Sequence, residues 1–366
     1  MRRGRRRRLR SCFASCQACC QEPSSPGGPV IEPVARTDAT ERAENATRVA
    51  AIDCGTNSVR LLLADIADGR LADIERRMEI VRLGQGVDQT GMLTPEALER
   101  TFAAMRGYAK LIDVHDTEKV RVVATSATRD ARNRADFVSG VVDIFGVVPE
   151  VISGDEEAQL SFVGATRDLV ELRPPRPYLV VDIGGGSTEF VLGTSSVEAA
   201  RSIDIGCVRM TERHLRDGDA QRLGTAPAAI GPHDPPTPEQ IADAVADIDA
   251  QLAAVREAVP VDQARTLVGL AGSVTTVAGI ALNLPEYDPA RIHLSRITAA
   301  QVHEVTRRLL HSTHDERAAI GVMHPGRVDV IGAGALILDR IMREYGFGAV
   351  VVSEHDILDG IAWSLA

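Results

Sequence analysis

The sequence contains few aromatic residues and no long apolar run. Phe, Trp and Tyr together make up 3% of its 366 residues, so the core must be built from Ala, Val, Ile and Leu. No stretch approaches the roughly 18 uncharged apolar residues that a membrane-spanning helix requires, and we expect no membrane segment. With 44% hydrophobic and 25% charged residues, the chain has the balance of a globular protein, and its length suits about two domains.

Several signatures of catalysis are also missing. No Gly-x-Ser-x-Gly elbow is present, and neither Cys54 nor Cys207 has an obvious neighbouring base, which disfavours nucleophilic catalysis. The nine histidines show no metal-ligand spacing along the chain, and we interpret the closest pair, His311 and His314, as surface residues. A Gly-Lys-Ser/Thr phosphate-binding loop is absent as well.

Cysteine is scarce outside the first 47 residues. Cys54 and Cys207 lie in apolar or turn contexts, which favours a reduced, cytoplasmic body over a disulfide framework. Residues 1–47 are Arg-rich, then Cys-rich, then rich in Pro, Ser, Gly and Glu. We interpret them as a disordered extension or the result of a start codon placed too early; the alternative is a redox, metal-binding or nucleic-acid-binding arm. Four cysteines fall in this segment: Cys12, Cys16, Cys19 and Cys20.

The net charge of −10 conceals a more acidic body. The first ten residues carry seven arginines and no acid, so removing those seven positive charges from −10 leaves −17 for the rest of the chain. Such a body lacks the basic footprint that nucleic-acid binding requires, and we expect no nucleic-acid partner for it. An anionic substrate remains compatible, because backbone N–H groups, a few arginines and a bound cation act at close range.

An internal repeat is the clearest signal of organisation. Residues 50–64 read AAIDCGTNSVRLLLA and residues 179–193 read LVVDIGGGSTEFVLG. Each has an apolar run, an Asp, a turn of small residues and a second apolar run, which predicts strand, tight turn and strand. Three pairs coincide when the copies are aligned: Asp53 with Asp182, Gly55 with Gly184 and Ser58 with Ser187.

The two turns have the composition of phosphate-binding loops. Small residues let the backbone approach an anion, and successive N–H groups then form a nest for it. An Asp at the strand end suits a hard cation. Because each turn leads into a strand, neither is a P-loop or a dinucleotide fingerprint; two structural hairpins are the alternative. The predicted phosphate-binding residues are Gly55, Thr56, Asn57, Ser58, Gly184, Gly185, Gly186, Ser187 and Thr188.

Alternating strand and helix patterns connect and follow the two repeats. Thr94 is a predicted helix N-cap, and Thr237 is one within a capping box. Another helix is predicted to begin near Ser153, and residues 216–237 are predicted to be a loop. The alternation predicts an α/β fold with one domain per repeat. We place the domains at residues 48–172 and 173–366 and leave open whether the last helix packs back onto the first domain.

Beyond these patterns, residues 48–366 resemble the exopolyphosphatase and guanosine-pentaphosphate phosphatase family, in its short two-domain form. The resemblance implies two duplicated actin-like (ribonuclease H-like) domains, as in sugar kinases and heat-shock ATPases, with the active site in the interdomain cleft. Its closing block, EHDILDG, departs from the family by lacking an Arg-Glu pair. The matching blocks are IDCGTNSVRLLLADI, RLGQGVDQTGMLTPEAL, VATSATRDARN, VISGDEEAQLSF, VVDIGGGSTEFVLG, GCVRMTE, GLAGSVTTVAG and RVDVIGAGALIL.

The resemblance also implies roles for acidic residues. Glu157, in SGDEEAQ, would be the catalytic base that orients the attacking water; from its position alone it could equally be a solvated acid in the first turn of a helix. Glu189 would bind the metal or orient water, or else face solvent from a strand. Asp182 and Asp53 would associate with Mg²⁺, the expected cofactor, directly or through water.

Arginines and one further turn complete the implied site. Arg60, Arg129 and Arg327 match family arginines that reach phosphate, and guanidinium groups bind phosphate oxygens bidentately; each has a surface or structural ion-pair role as its alternative. Gly272 and Ser273 lie in GLAGSVTTVAG, where a turn before a helix would suit an anion. A purely structural role for that turn is equally compatible with the sequence.

These observations predict hydrolysis of a terminal phosphoanhydride in inorganic polyphosphate, guanosine pentaphosphate or both. Two alternatives stay open at this point: an ATP-dependent phosphotransferase or ATPase of the same superfamily, and a non-catalytic regulator that binds an alarmone. Dimers are common in the resembling family, but the residues themselves carry no independent signal for a homodimer or for substrate preference.

Overall fold

Two β-sheets, one from each half of the chain, organise the computed structural model, which describes residues 45–215 and 234–366. The first sheet has the strand order β3-β2-β1-β4-β5. Its strands are β1 Thr47–Cys54, β2 Ser58–Ala67, β3 Arg70–Ile80, β4 Lys119–Ala124 and β5 Glu150–Val151. The interpretation of residues 1–47 falls almost entirely outside the described residues, as does most of the predicted loop over residues 216–237.

The second sheet has the strand order β10-β11-β9-β6-β7-β8. Its strands are β6 Tyr178–Ile183, β7 Thr188–Gly193, β8 Val197–Ile203, β9 Thr266–Leu270, β10 Arg296–Thr298 and β11 Ala349–Val352. In both sheets the strand that carries the repeat's Asp pairs antiparallel with the next strand and parallel with a later one. The prediction of strand, turn and strand for both repeats is therefore confirmed.

Fourteen α-helices surround the sheets in the described part of the chain. Those of the first half are α1 Val87–Thr90, α2 Pro95–Val114, α3 Ser126–Asp130, α4 Arg134–Phe145, α5 Gly154–Thr166 and α6 Leu169–Leu172. Those of the second half are α7 Cys207–Met210, α8 Pro238–Ala258, α9 Ala271–Ala281, α10 Pro289–Ile292, α11 Ala299–His311, α12 His314–Ala318, α13 Ile331–Glu344 and α14 Ile357–Trp363. A π-helical turn, Thr211–Leu215, continues α7.

The predicted helix starts are confirmed by their hydrogen bonds. The Thr94 hydroxyl accepts the amide N–H of Ala97 ahead of α2, and the Ser153 hydroxyl accepts that of Glu156 ahead of α5. Thr237 forms a capping box with Gln240 at the start of α8. No helix within residues 45–215 and 234–366 is long and apolar enough to cross a membrane.

Helices α5 and α14 are exchanged between the sheets. Ala158, Phe162 and Ala165 of α5 pack against β6 and β7 of the second sheet. Ile361 and Ala362, near the end of the chain, pack against β1 and β2 of the first. We call the first sheet with α1–α4 and α14 the first lobe, and the second sheet with α5–α13 the second lobe.

The exchanged helices cross at two glycines. A Cβ atom on Gly164 of α5 would lie 1.8 Å from the carbonyl oxygen of Asp356, and one on Gly360 of α14 would lie 2.0 Å from that of Leu160. Both obstacles are backbone atoms, which cannot rotate away. The two helices therefore approach as closely as their backbones permit and join the lobes through an apolar crossing.

The crossing predicts that Gly164→Ala destabilises the protein by about 1–3 kcal/mol, because the added methyl group meets backbone. Gly107→Ala is the matched control: Gly107 also lies in a helix, α2, but a Cβ there has no atom within 4 Å. The control should gain up to about 1 kcal/mol from the higher helix propensity of Ala. Denaturant unfolding of both variants measures the difference, and equal midpoints would contradict the predicted close approach.

Candidate active site

The two repeat turns face each other across a cleft between the lobes. In each turn an amide donates to the carbonyl of a serine three residues later, from Gly55 to Ser58 at 3.0 Å and from Gly184 to Ser187 at 3.1 Å. A Cβ on Gly185 would lie 2.8 Å from Cβ of Thr56. The cleft between the turns has a volume of about 100 Å³, which suits a small anionic group.

Most of the residues predicted from the sequence meet in this cleft. Its lining includes Asp53, Gly55, Thr56, Asn57, Ser58, Arg60, Glu157, Asp182, Gly184, Gly185, Gly186, Ser187, Gly272, Ser273 and Arg327. Three predicted residues do not line it: Arg129, Thr188 and Glu189. The Thr188 hydroxyl points elsewhere and donates to the carbonyl of Ile205 at 2.6 Å. Arg129 and Glu189 lie directly behind the lining.

Strand alternation explains why the acids converge. Val49 and Ala51 of β1 pack toward α14, so Asp53 two residues on has the same face. Val180 of β6 packs toward α5, and Asp182 continues that face. The two aspartates are therefore carried to the inner faces of the two sheets, where the exchanged helices begin.

Glu157 lies in the first turn of α5 and points into the cleft. It is 8% exposed, and its carboxylate accepts a hydrogen bond from Nη1 of Arg129 at 3.0 Å. Burial raises the pKa of Glu157 to about 7, although the charge of Arg129 opposes the rise. The preceding Glu156 instead pairs with Arg121 outside the cleft, at 3.0 Å. The two neighbouring acids thus have opposite environments.

Glu189 and Asp182 are adjacent buried acids on the second sheet. Glu189 is 1% exposed and accepts from the Ser202 hydroxyl at 2.7 Å. Its pKa is raised well above the usual value by burial and by the charges of Glu157 and Asp182. Burial also raises the pKa of Asp182 to about 6, even though the Ser161 hydroxyl donates to it at 2.7 Å. These carboxylates repel one another at close range.

Only one of the two carboxylate oxygens of Asp53 accepts hydrogen bonds from the described residues. Its Oδ2 accepts from Nε and Nη2 of Arg60 at 2.9 and 2.6 Å. Its Oδ1 is buried and has no hydrogen-bond partner among the described residues. Burial raises the pKa of Asp53 despite the neighbouring guanidinium. A buried carboxylate oxygen without a donor is suited to a cation, because hard cations prefer oxygen ligands.

Asp356 is a member of the site that the sequence did not predict. It caps α14 by accepting the amide of Leu358 at 3.0 Å, and its other oxygen pairs with Nη1 of Arg60. Burial works against the charge on Asp356, but Arg60 outweighs it and lowers the pKa. Arg60 is thus shared by Asp53 and Asp356. The available signal was an acid at the start of the last helix, in the block that departs from the family.

Arg327 lies against the turn at Gly272. Its Nη1 donates to the Gly272 carbonyl and to the Thr276 hydroxyl, both at 3.2 Å. A Cβ on Gly272 would lie 2.1 Å from Nη2 of Arg327, so a side chain at this position would displace the guanidinium. In the described residues no carboxylate forms an ion pair with Arg327, which leaves its charge directed toward the cleft.

A second, larger cavity adjoins the cleft and was not predicted. It has a volume of about 450 Å³ and shares Arg60, Gly272 and Arg327 with the cleft. Its wall includes the apolar side chains of Val322 and Met323. The remaining polar wall includes Tyr287, whose hydroxyl donates to Glu354 at 2.7 Å.

The structure also assembles Asp168, His293 and His355, which are distant in sequence. The ring of His355 pairs with the Asp168 carboxylate through Nδ1, and Nε2 of His293 lies 3.7 Å from the same oxygen. The backbone N–H of Glu354 donates to Nδ1 of His293 at 3.2 Å. Neutral His293 therefore has its proton on Nε2, facing Asp168, which favours an ion-pair cluster over a metal site.

These observations define an actin-like α/β protein, with two lobes and an interlobe cleft lined by small-residue turns and carboxylates. The chain belongs to the Ppx/GppA phosphatase family, which matches residues 62–366. It is 48% identical over 333 residues to Exopolyphosphatase 2 of Mycobacterium tuberculosis, across 87% of this chain and 99% of that protein.

Two solved structures resemble the chain over nearly its whole described length. An exopolyphosphatase-like protein has a TM-score of 0.81 and 39% identity, covering 88% of this chain and 98% of that one. The PPX-GPPA enzyme of Aquifex aeolicus has a TM-score of 0.70 and 32% identity, covering 87% and 99%. The predicted family and the predicted actin-like fold are both confirmed.

The Asp168 cluster predicts a pH-dependent contribution to stability. Burial lowers the pKa of His355, but the hydrogen bond to Asp168 and the charges of Asp359 and Asp168 together outweigh it and raise the pKa above its ordinary 6.5. This contribution is therefore full below pH 6.5 and is lost as pH rises through the folded value. The pKa of Asp168 is lowered from 3.8, chiefly by the hydrogen bond from His355, so its contribution is full above pH 3.8 and is lost at lower pH.

Asp168→Asn should therefore lower the free energy of unfolding at pH 5.5 by at most about 1 kcal/mol, since the groups are partly exposed, and should have less effect at pH 9. Denaturant unfolding at the two pH values measures this. Asp68→Asn, at an exposed turn with positive φ, is the control and should change little at either pH. A larger loss at pH 9 than at pH 5.5 would contradict the pairing.

Proposed function

We propose that this protein hydrolyses the terminal phosphoanhydride of inorganic polyphosphate and releases orthophosphate. The observation that carries the proposal is the buried Glu157 carboxylate. It accepts a hydrogen bond from Arg129 and points into the small cleft between the two repeat turns. The 48% identity to Exopolyphosphatase 2 of Mycobacterium tuberculosis supports polyphosphate as the substrate class.

In this proposal Glu157 orients the attacking water and accepts its proton. A base is most effective when its pKa lies near the working pH, and the pKa of Glu157 is raised to about 7 by burial. The Arg129 hydrogen bond fixes the direction of the carboxylate. The water oxygen bonds to the terminal phosphorus as the bond from that phosphorus to the bridging oxygen breaks. Orthophosphate then leaves, and the polyphosphate is one unit shorter.

The turn residues would bind the phosphates on either side of the reacting bond. Thr56 and Ser58 supply hydroxyl donors from the first lobe, and Ser187 supplies one from the second. Arg327, whose charge has no carboxylate partner in the described chain, would contact an adjacent phosphate from the direction of the second cavity. Donors from both lobes would therefore hold the chain end in line with the water.

We further propose that Mg²⁺ is held by Asp53, Asp182 and Glu189. Four acids lie in the cleft lining or directly behind it, these three and Glu157. They have only Arg60 and Arg129 as ion-pair partners among the described residues, and Arg60 is shared with Asp356. A polyanion would add to this excess of negative charge, and the unpartnered Oδ1 of Asp53 offers a ligand atom. When bound, Mg²⁺ would neutralise charge on the phosphoryl group.

The proposal predicts that Glu157→Gln lowers the rate of phosphate release from polyphosphate by at least about 100-fold, because an amide cannot accept the proton. Glu156→Gln is the matched control: it lies in the same helical turn but pairs with Arg121 outside the cleft, and it should stay within about twofold of the parent. A Glu157→Gln enzyme near parental activity would refute the assigned base.

The second cavity supports guanosine pentaphosphate as a second substrate. It opens beside the phosphate cleft, and its volume of about 450 Å³ falls within the usual range for small-molecule sites. Apolar Met78, Val322 and Met323 offer a surface for a nucleobase, and Arg327 stands between base and phosphates.

Filling this cavity with a larger side chain should affect hydrolysis of guanosine pentaphosphate more than hydrolysis of polyphosphate. Met78→Trp, on the cavity wall, should lower kcat/KM for guanosine pentaphosphate by about tenfold through steric exclusion. Polyphosphate hydrolysis should fall by a smaller factor, because Met78 also contacts Arg327. Met92→Trp, at a solvent-exposed position away from the cavity, controls for the added indole. An equal loss on both substrates would contradict a separate base-binding cavity.

The phosphate-release assays on polyphosphate and guanosine pentaphosphate should be extended to ATP in the presence of a phosphate acceptor. Net phosphate transfer with formation of ADP would favour the phosphotransferase alternative, and tight nucleotide binding without turnover would favour an alarmone-binding regulator. Release of orthophosphate from polyphosphate would contradict both.

A further inference from the structure

Helix α7 is bonded directly to the second repeat turn. The amides of Cys207 and Val208 donate to the carbonyls of Gly184 and Gly185, both at 2.9 Å. A Cβ on Gly206 would lie 2.4 Å from the Gly185 carbonyl carbon, so no side chain separates the two segments. The start of α7 and the Gly184–Gly186 turn therefore form one rigid piece of the second lobe.

Arg209, the third residue of α7, connects this piece to the first lobe. Its Nε donates to the Gly186 carbonyl at 2.7 Å. Its Nη1 donates to Asp88 of α1 at 2.6 Å, and its Nη2 donates to Asp130 of α3 at 2.5 Å. The side chain is only 12% exposed, so one guanidinium joins the turn to two elements of the opposite lobe.

Neighbouring polar contacts lie on the same side of the cleft. One turn further on, the Glu212 carboxylate accepts the amide of Gly86 at 3.2 Å. Arg82 of the first lobe donates to Asp329 of the second at 2.8 Å. In contrast, the α5–α14 crossing joins the lobes through apolar side chains and glycines. A packed crossing suits a pivot, and hydrogen-bonded ion pairs suit a contact that forms and breaks.

We propose that Arg209 is a positioning residue that couples closure of the lobes to the placement of the Gly184–Gly186 turn. Closing the lobes brings Asp88 and Asp130 onto the same guanidinium that binds the Gly186 carbonyl, so the turn reaches its position against Thr56 only in the closed form. Lysine cannot replace this arrangement, because three separate acceptors require the planar fork of arginine.

The consequence for catalysis rests on the proposed hydrolysis of polyphosphate, whereas closure itself does not. Arg209 makes no contact with Glu157, but its loss should allow the second turn to withdraw from the phosphate. We therefore expect substrate binding to suffer more than the chemical step.

The test compares Arg209→Gln and Arg209→Lys with Arg213→Gln in the full chain. Arg213 is the matched control, because it also pairs with Asp88 but its other partner is Asp247 of its own lobe. Small-angle X-ray scattering and hydrogen exchange at residues 84–90 report closure without substrate. Phosphate release from polyphosphate reports KM and kcat.

Arg209→Gln should increase the radius of gyration, speed exchange of the Gly86 amide, and raise KM about tenfold with a smaller fall in kcat. Arg209→Lys should recover little of this, and Arg213→Gln should stay within about twofold of the parent. Unchanged scattering and exchange in Arg209→Gln, or equal effects in Arg213→Gln, would overturn the proposal.

If Arg209→Gln fails to fold, a variant in the first lobe tests the same contact. Asp130→Ala removes one acceptor of the same guanidinium from an exposed position on α3, and it should speed exchange at Gly86 and raise KM by a smaller factor. No effect on either would overturn the proposal. If the parent enzyme releases no phosphate from polyphosphate, the proposed function fails, while scattering and exchange still decide the role of Arg209.

Discussion

The contact between the two repeat turns is the constraint on which the rest of the structure depends. Gly185 and Gly186 press their backbone onto Thr56 and Ser126, at separations where a methyl group would overlap them. Such an approach requires glycine on one side and small polar residues on the other. It also requires each turn to be rigid, and the paired strands on either side of each turn provide that rigidity. The cleft is small because the turns meet directly.

The cost of this arrangement is electrostatic. Strand alternation that buries Val49 and Ala51 beside α14 also buries Asp53, and the equivalent alternation in the second sheet buries Asp182. Several carboxylates are thereby brought into a small volume shielded from water, and burial raises the pKa of Glu157 to about 7 and that of Asp182 to about 6. The clustered carboxylates repel an anion and attract a cation. A divalent ion bound among them would therefore allow a polyanionic substrate to enter the cleft.

Local patterns allowed much of the fold to be predicted. Thr94 and Thr237 cap helices where the sequence predicted, because capping depends on a side chain and an amide only three residues away. The helix predicted to begin near Ser153 does so, with that serine as its cap. The repeat turns were predictable for the same reason, since an Asp followed by small residues between two apolar runs specifies strand, turn and strand. Family resemblance then identified Glu157, which its helical position alone did not distinguish from Glu156.

The remaining features depend on contacts that no local pattern encodes. Arg60 and Asp356 are separated by 296 positions, and they meet only because α14 returns to the first sheet and begins beside β2. That return is possible because Gly164 and Gly360 let α5 and α14 cross backbone to backbone. An acid at the start of the last helix therefore becomes a partner of the first repeat. The departure of EHDILDG from the family pattern coincides with this contact, so the end of the chain contributes to the charge balance of the cleft as well as to the packing of the first lobe.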